Sequence, residues 1–228
     1  MAIAYVNSNS GYSGGPITLT GVTAGNLLVA FVCGAGSMAT TTLPSGWVKC
    51  TARLVGSVGA CHWYYPNHPG GDVSATITNA PSDPGWSIHE YSGADTSGPL
   101  QGEGVFTSES GGNWDTTDVA TDVADAVLFV SMNDEAASMA YSPTGTWNSR
   151  TTESGHYHRT IDRIVTSTGT YDSQGTVSGG SETYIVALSV FQGPASGASS
   201  TPIFRRRLNI LLRLCFSSFS TLFWRLLR

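Results

Sequence analysis

The sequence predicts an all-β fold, an antiparallel β-sandwich of the jelly-roll or immunoglobulin-like type, followed by a C-terminal amphipathic α-helix. Three observations lead to this prediction. Gly, Ser and Thr are abundant while only 12% of the 228 residues are charged, a balance typical of short strands joined by tight turns. Short apolar runs alternate with Gly- and Pro-containing turns up to residue 193. After residue 203 the apolar period changes to that of a helix.

The strand-like runs of the first half follow one another at short intervals. Residues 3–6 and 17–20 predict short strands at a sheet edge, whereas the almost continuously apolar residues 26–33 predict a central strand covered on both faces. Residues 47–54 and 58–65 predict an antiparallel pair around a glycine turn. Two more strands, over residues 73–77 and 86–91, complete this half, which ends near Pro99.

The second half continues the same pattern. Residues 126–132 and 183–191 predict buried strands that pair near the centre of the core. Residues 156–165 predict a further strand, and residues 171–180 are polar and turn-rich.

Two tryptophans suggest an internal repeat. Trp47 and Trp147 each follow a Pro-containing turn after a core strand. This correspondence is compatible with a duplicated sandwich, but the period is too long for a solenoid.

The C-terminal segment differs from the sandwich in composition. We predict a β-sandwich domain over residues 1–193, a Gly/Ser/Pro linker over residues 194–202 and a basic amphipathic helix over residues 203–228. The apolar positions of the helix are spaced as a heptad seam, which would oligomerise the chain or anchor it to another protein or a membrane surface. The seam consists of Leu208, Leu212, Cys215, Phe219, Leu222 and Leu226. The longest Arg-free stretch there is 11 residues, too short to span a bilayer.

Charge is divided unequally along the chain. Residues 1–200 carry 16 acidic and five basic residues, a formal charge of −11, whereas residues 201–228 carry six arginines and no acid. The body is therefore expected to repel nucleic acid, and the tail suits an anionic surface. The N-terminal residues lack a basic start followed by an apolar run, so no secretory signal is predicted. Cys33 and Cys61 lie in apolar runs and are predicted to be packed thiols.

The order of five motifs resembles a β-sandwich module found in tailed-phage virion proteins and bacterial surface proteins. The motifs are Gly25-Asn26-Leu27-Leu28-Val29-Ala30, Pro44-Ser45-Gly46-Trp47, Trp63-Tyr64-Tyr65, Gly71-Asp72-Val73-Ser74-Ala75-Thr76 and Glu90-Tyr91-Ser92-Gly93-Ala94-Asp95-Thr96. The resemblance covers residues 1 to about 193. It implies structural roles for these motifs and no catalytic residues.

The expected function is that of a non-enzymatic structural protein of a phage particle. Such a protein would decorate the capsid or belong to the tail or fibre, and it would assemble in the host cytoplasm as a homo-oligomer with other virion proteins. The alternative is a carbohydrate-binding or adhesive module that stacks a cell-surface glycan on exposed rings of Trp114, Trp147 and Tyr157. The same rings are also compatible with the core.

An enzyme acting on polysaccharide is a remote alternative. Glu90 and Glu103 are candidate acid and base, but the sequence does not fix the separation that this chemistry requires, and structural roles are favoured. No nucleophile motif or phosphate loop is present, so no catalytic residue or cofactor is predicted.

Two sets of residues were weighed as metal ligands. His156 and His158 would lie on one face of a strand and bind a metal if Asp162 or His89 came near, although an exposed polar strand face is favoured. An acidic run lacks the loop pattern of a calcium site and is predicted to be a solvated edge. That run contains Asp115, Asp118, Asp122 and Asp125. No metal is predicted.

Overall fold

All regular secondary structure in the described part of the chain is β-structure. The computed structural model describes residues 2–12, 14–108, 112–134, 140–153, 158–178 and 183–195. Their strands form several antiparallel sheets, which confirms the all-β prediction. Contacts group Met1–Pro194 into one compact unit. The predicted C-terminal helix and its heptad seam lie outside the described residues.

The two halves of the chain supply the strands in succession. The first half contributes β1 (Ala4–Tyr12), β2 (Ile17–Val22), β3 (Leu27–Ala35), β4 (Val48–Lys49), β5 (Arg53–Val55), β6 (Val58–Tyr65), β7 (Gly71–Ala75) and β8 (Ser82–Ser92). The second half contributes β9 (Leu100–Ser108), β10 (Gly112–Asp115), β11 (Val119–Thr121), β12 (Ala126–Asp134), β13 (Ala140–Pro143), β14 (Asn148–Glu153), β15 (His158–Val165), β16 (Gly169–Tyr171), β17 (Gln174–Ser178) and β18 (Tyr184–Gln192).

Each half builds one large sheet in the same strand order. The first inner sheet has the order β1-β8-β3-β6-β4, with β5 also paired to β6. The second inner sheet has the order β9-β18-β12-β15-β14. In both halves the first strand pairs with the last, and the last pairs with a central, buried strand. The predicted pairing of the runs that became β12 and β18 is confirmed.

The strand registers of the two sheets correspond residue by residue. In the first inner sheet Leu27 pairs with Tyr91, and in the second Val127 pairs with Phe191, so both members are displaced by 100 residues. The edge strands keep the same irregularity, because β1 bulges at Val6 and β9 bulges at Gln101, next to equivalent positions of β8 and β18. Bulges are features that related folds preserve. The two halves therefore share one topology.

The sheets stack in four layers. The first inner sheet is covered on its outer face by β2 and β7, and the second by β10, β17 and β13 together with β11 and β16. Each half thus has an outer core of its own, with Trp63 and Trp86 in the first and Trp114 and Tyr184 in the second. The inner faces of the two large sheets pack on one another in a third core. β3, β12 and β18 are buried along almost their whole length because both of their faces are covered.

Two of the differences from the sequence prediction have a clear physical cause. The strand expected over residues 47–54 is interrupted at Cys50, whose amide donates to the carbonyl oxygen of His62 outside the regular ladder. The turn-rich residues 171–180 contain β17, in which Gly175 and Val177 are buried and the intervening Thr176 is exposed. Because this outer-layer strand has one solvent-facing side and buries a glycine, its apolar pattern is too sparse to indicate a strand.

Candidate functional site

Buried histidine, aspartate and hydroxyl side chains converge between the two inner sheets, in a layer that we call the joint. Its apolar part includes Leu27, Val29 and Phe31 of the first sheet and Val127, Phe129 and Ile185 of the second. Its polar part contains His62, Ser87, His89, Ser131, His158, Thr160, Asp162 and Ser189, none more than 2% exposed. Burial of so many polar groups is tolerated only when they bond to one another.

His62 connects the first inner sheet to two strands of the second. Its Nδ1 lies 2.7 Å from Oγ of Ser189 on β18, and its Nε2 lies 2.6 Å from Oγ of Ser131 on β12. Burial lowers the pKa of His62 to about 3, with a smaller contribution from the charge of Arg53. The imidazole is therefore neutral at physiological pH and bridges the two sheets through one hydroxyl at each nitrogen.

His89 makes a second contact across the joint, with a different arrangement of partners. Its Nε2 lies 3.1 Å from Oγ of Ser87 and 3.2 Å from Oγ1 of Thr160 on β15. The hydroxyl of Thr160 also bonds to that of Thr151 on β14. Burial lowers the pKa of His89 to about 3, and nearby cationic groups, Arg150 first among them, add to this effect. Both hydroxyls of this group share one nitrogen of the ring.

The two histidine contacts are reciprocal. His62 pairs with Phe31, and Thr160 pairs with Ser131. Because Ser131 occupies the position equivalent to Phe31, Thr160 is equivalent to His62. His89 and Ser189 are likewise equivalent by the 100-residue displacement. The pair His62–Ser189 thus corresponds to the pair Thr160–His89 with the halves exchanged. Contacts that repeat in this way characterise an isologous, two-fold related interface.

A charged cluster occupies one end of the joint. Asp162 is fully buried and accepts hydrogen bonds from the hydroxyl of Tyr91 at 2.8 Å, Nδ2 of Asn148 at 3.0 Å and Nε of Arg150 at 2.7 Å. The guanidinium of Arg150 also lies over the ring of Tyr5, 3.6 Å from its centroid. Burial and the carboxylate raise the pKa of Tyr91 well above its ordinary value, so its hydroxyl stays a donor. The carboxylate thereby accepts three hydrogen bonds from two other strands, β8 and β14.

The opposite end of the joint has equivalent positions but different chemistry. Tyr64 and Phe191 take the places of Asp162 and Tyr91, and their rings meet edge to face at 5.5 Å. Cys50 takes the place of Arg150, and Leu100 packs where Tyr5 lies in the other half. One end is therefore held by an ion pair and the other by ring packing.

The cysteines of the described residues are buried, which confirms the prediction of packed thiols. Cys33 lies in the joint, Cys61 lies in the outer core of the first half, and both are free. Burial raises the pKa of Cys61 to about 12 and that of Cys33 further. A thiol must ionise to act as a nucleophile, so neither group is reactive while the fold is closed.

The two candidate glutamates have structural contacts. Glu90 is 1% exposed, and its Oε1 accepts from the amide of Thr23 and from Nδ2 of Asn26. Glu103 accepts from the amide and hydroxyl of Thr51, and so ties β9 of the second sheet to the segment between β4 and β5. These contacts agree with the structural roles that the sequence favoured.

The proposed aromatic platform requires a correction. Trp114 is 1% exposed, packs edge to face on Tyr141 and donates from Nε1 to Oγ of Ser173, so its assignment as an exposed ligand-binding ring is wrong. The physical reason is the outer layer, which buries one face of β10. Trp147 is half-buried, with its Nε1 donating to the carbonyl oxygen of Thr144. Tyr157 lies outside the described residues.

The histidine pair and the acidic run also have a place in the structure. His158 is 2% exposed and packs 5.8 Å from the ring of Phe31, so the expectation of an exposed strand face is wrong at this position. His156 lies outside the described residues. Asp115, Asp118 and Asp122 are exposed, as expected of a solvated edge. No group of three or more His, Cys, Asp or Glu side chains in the described ranges is placed to hold a metal ion.

Sequence reasoning did not identify the joint. Ala60, His62 and Tyr64 lie on one face of β6, which is the face that the joint covers. The partners Ser131 and Ser189 lie within strands that read only as apolar runs. A polar residue inside a run covered on both faces is the signal that would have found them, because such a residue needs a partner on the facing sheet.

Comparison with known proteins adds no relative. No protein-family model, curated protein or solved structure matches the chain. Within the described ranges there is no helix with the length and apolar character needed to cross a membrane.

Proposed function

We propose that this chain is a non-enzymatic structural protein of a tailed-phage particle, a capsid decoration or a tail- or fibre-associated component. The observation that supports this best is the use of its reactive groups. His62, His89 and Asp162 are buried and take part in contacts that join the two sheets, and burial keeps the imidazoles neutral. Groups committed in this way stabilise a scaffold and leave recognition to its surface.

We further infer that each half is a jelly roll. The order of β1, β8, β3 and β6 is that of one jelly-roll sheet, and β2 with β7 supplies part of the facing sheet. The same order recurs in β9, β18, β12 and β15, with β10, β17 and β13 facing them. Two jelly rolls joined back to back make a rigid module, which suits a particle component and is in keeping with the motif resemblance of residues 1–193.

The proposal assigns assembly to the basic C-terminal segment. Its seam, from Leu208 to Leu226, would bind copies of itself or another virion protein, with peripheral membrane contact as a further consequence of its arginines. Assembly would take place in the host cytoplasm. The acidic body would keep the modules apart from nucleic acid.

Particle incorporation tests the proposal. Particles purified from host cells that carry the gene should contain the full chain, detected by mass spectrometry and by antibody labelling under the electron microscope. A chain that ends at residue 200 should fold but be lost from the particles. Full retention of the shortened chain would refute the anchoring role, and absence of the full chain from particles would refute the structural role.

Two solution measurements complete the test. Light scattering should give a larger oligomer for the full chain than for residues 1–200. On a glycan array we expect no binding by the parent chain. A glycan signal that Trp147→Ala removes and Trp114→Phe keeps would favour the carbohydrate-binding alternative instead, because Trp147 is the more exposed of the two rings.

A further inference from the structure

The joint places two imidazoles against one aromatic ring in a layer closed to water. His62 lies on β6 and His89 on β8, the two strands that flank β3 in the first inner sheet. Their ring centroids lie 5.0 and 4.9 Å from the ring centroid of Phe129 on the second inner sheet. Hydroxyl groups are their hydrogen-bond partners across the joint. A neutral imidazole can exchange hydrogen bonds with hydroxyls, as both nitrogens of His62 and Nε2 of His89 do, but an imidazolium in this layer would carry a buried charge.

Among the residues that the structure describes, the charged groups that act on the two rings are cationic. Arg53 on β5 acts on His62, and Arg150 on β14 together with His158 on β15 acts on His89, each disfavouring a further positive charge. Protonation of one histidine also opposes protonation of the other. Acidification would therefore bring several positive charges close together in the joint.

The carboxylates around the joint accept hydrogen bonds from groups other than the two histidines. Asp162 on β15 is held by Arg150 and two further donors, and Glu103 on β9 is held by Thr51. Asp134 on β12 accepts from the hydroxyl of Tyr141 in the outer layer. Glu90 on β8 points to the other face of its strand, toward Asn26. None of these bonds is directed at His62 or His89.

We propose that the joint is an acid-released contact, in which proton uptake by His62 and His89 separates the two inner sheets while each half keeps its own core. The division of the apolar side chains supports separate halves. The outer core of the first half is drawn entirely from β2–β8 and the segments between them, and that of the second half from β9–β18 and the segments between them. Only the joint contains residues of both. The proposal does not rest on the assignment to a phage particle.

The direction and range of the effect follow from linkage. In the closed joint burial holds the pKa of both histidines at about 3, whereas a ring returned to water has an ordinary pKa of about 6.5. The joint is therefore fully stable above about pH 6.5 and weakens as the pH falls from there toward about 3. Each histidine shifts the opening equilibrium by about tenfold per pH unit, or about a hundredfold at pH 4.5.

The cysteines distinguish release of the joint from unfolding of a half. Cys33 lies in the joint, whereas Cys61 lies in the outer core of the same half. We would treat the full chain, with Cys215→Ser as the only change, with 4,4′-dithiodipyridine, which reacts with thiols in mild acid. Each reaction forms a mixed disulfide and releases one thiopyridone, and peptide mass spectrometry identifies the cysteine. A cysteine-containing peptide corrects for the intrinsic pH dependence of the reagent.

Acid should expose Cys33 selectively. Relative to the peptide, we expect the rate at Cys33 to rise at least about a hundredfold between pH 7.5 and 4.5, while Cys61 stays protected. Reaction of Cys33 and Cys61 at equal rates at every pH, or protection of both until all secondary structure is lost, would overturn the proposal.

Histidine variants test whether His62 and His89 are the groups that take up the protons. The double variant His62→Gln and His89→Gln should lower the pH at which Cys33 becomes reactive, and His68→Gln, a change at a half-buried position outside the joint, should leave it unchanged. An equal shift in both variants would contradict the proposal. Should the double variant be unfolded at pH 7.5, NMR titration of the parent decides. His62 and His89 must then gain their protons together with Cys33 exposure and not before it.

Discussion

The two halves of this molecule have the same strand order and register, but at equivalent positions of the joint one half has an aromatic side chain where the other has a polar one. Where the first half contributes Tyr64 to the joint, the second contributes Asp162. Where the first half contributes the ring of Phe31, the second contributes the hydroxyl of Ser131. The backbone arrangement is therefore compatible with either polar or apolar contacts, and the side chains at each end must match only their local partners.

The difference also shows what a duplicated scaffold requires. Both halves keep a bulge at the edge strand, a Trp before the strand that begins at residue 48 or 148, and an apolar central strand. These features set geometry, and they recur. Polar side chains recur only together with their partner across the joint, as in the reciprocal pairs His62–Ser189 and His89–Thr160.

The largest expected effect comes from breaking the charged end of the joint. Asp162→Ala leaves Arg150, whose side chain is 17% exposed, without its carboxylate and should lower the free energy of unfolding by about 3–5 kcal/mol. Tyr64→Phe at the equivalent position should cost less than about 1 kcal/mol. Urea unfolding followed by near-ultraviolet circular dichroism measures both.

The double variant Arg150→Met and Asp162→Leu sharpens that test. It would give the charged end an apolar character like that of the other end, and most of the lost stability should return, because a packed apolar pair can replace a buried ion pair. If the double variant is no more stable than Asp162→Ala, the two ends are not interchangeable.

A second comparison concerns the edge strands β1 and β9. Asn9 and Gly104 are equivalent, and each faces the carbonyl oxygen of a threonine, Thr18 or Thr117. A Cβ added at Gly104 would lie closer than 3.0 Å to that oxygen, so Gly104→Ala should destabilise by about 3 kcal/mol.

Two alanine variants provide the controls for Gly104→Ala. Asn9→Ala should cost under about 1 kcal/mol because the two hydrogen bonds that Nδ2 donates to Thr18 are exposed. Gly98→Ala, where a Cβ meets nothing within 4 Å, should be nearly neutral. Thermal unfolding of the three variants in parallel gives the ranking, and a neutral Gly104→Ala would show that β9 can move away from the outer layer.

The two histidines should respond differently to loss of a hydroxyl. Ser189→Ala leaves Nδ1 of His62 buried without its partner and should cost about 2 kcal/mol. Ser87→Ala should cost less, about 0.5–1 kcal/mol, because Nε2 of His89 keeps the hydroxyl of Thr160. Equal losses in chemical denaturation would mean that the second hydroxyl does not compensate.

The smallest effect is expected at the repeated tryptophan of the second half. Trp147→Phe removes a hydrogen bond from Nε1 to the carbonyl oxygen of Thr144 at a half-buried site and should cost about 0.5–1 kcal/mol. Trp114→Phe, in which the lost bond to Ser173 is buried, should cost more. Calorimetric midpoints would separate the two, and the reverse order would contradict the assignment of Trp114 to the core.

The strands with the strongest apolar character were predictable from the sequence, because β3, β12 and β18 each bury both faces. The equivalence of Trp47 and Trp147 also gave a correct indication of duplication. The four-layer arrangement was not predictable, since nothing in a strand's own residues says whether its second face meets an outer layer or water. The same limit explains Trp114, which lies on a short outer-layer strand with exposed neighbours on both sides.

The joint escaped prediction for a different reason. His62, Ser131 and Ser189 lie on three strands separated by more than 50 residues, and their hydrogen bonds exist only after the halves meet. Asp162 and His158 were considered together as metal ligands, yet the structure gives Asp162 an arginine partner from β14 instead. Partner choice of this kind depends on strand order, which local patterns do not determine.

The pairing of first strand with last in each half has a consequence for biosynthesis. β1 must wait for β8, since Ala4 pairs with Ser92, and β9 must wait for β18, since Ser108 pairs with Tyr184. The first sheet therefore closes only after β8, which ends about 90 residues beyond the start of β1, has been synthesised, and β8 is synthesised before β18. Such long-range pairing makes folding slow. Until the second half is complete, the face of the first sheet that carries His62 and His89 remains uncovered and is a place where chaperones would bind.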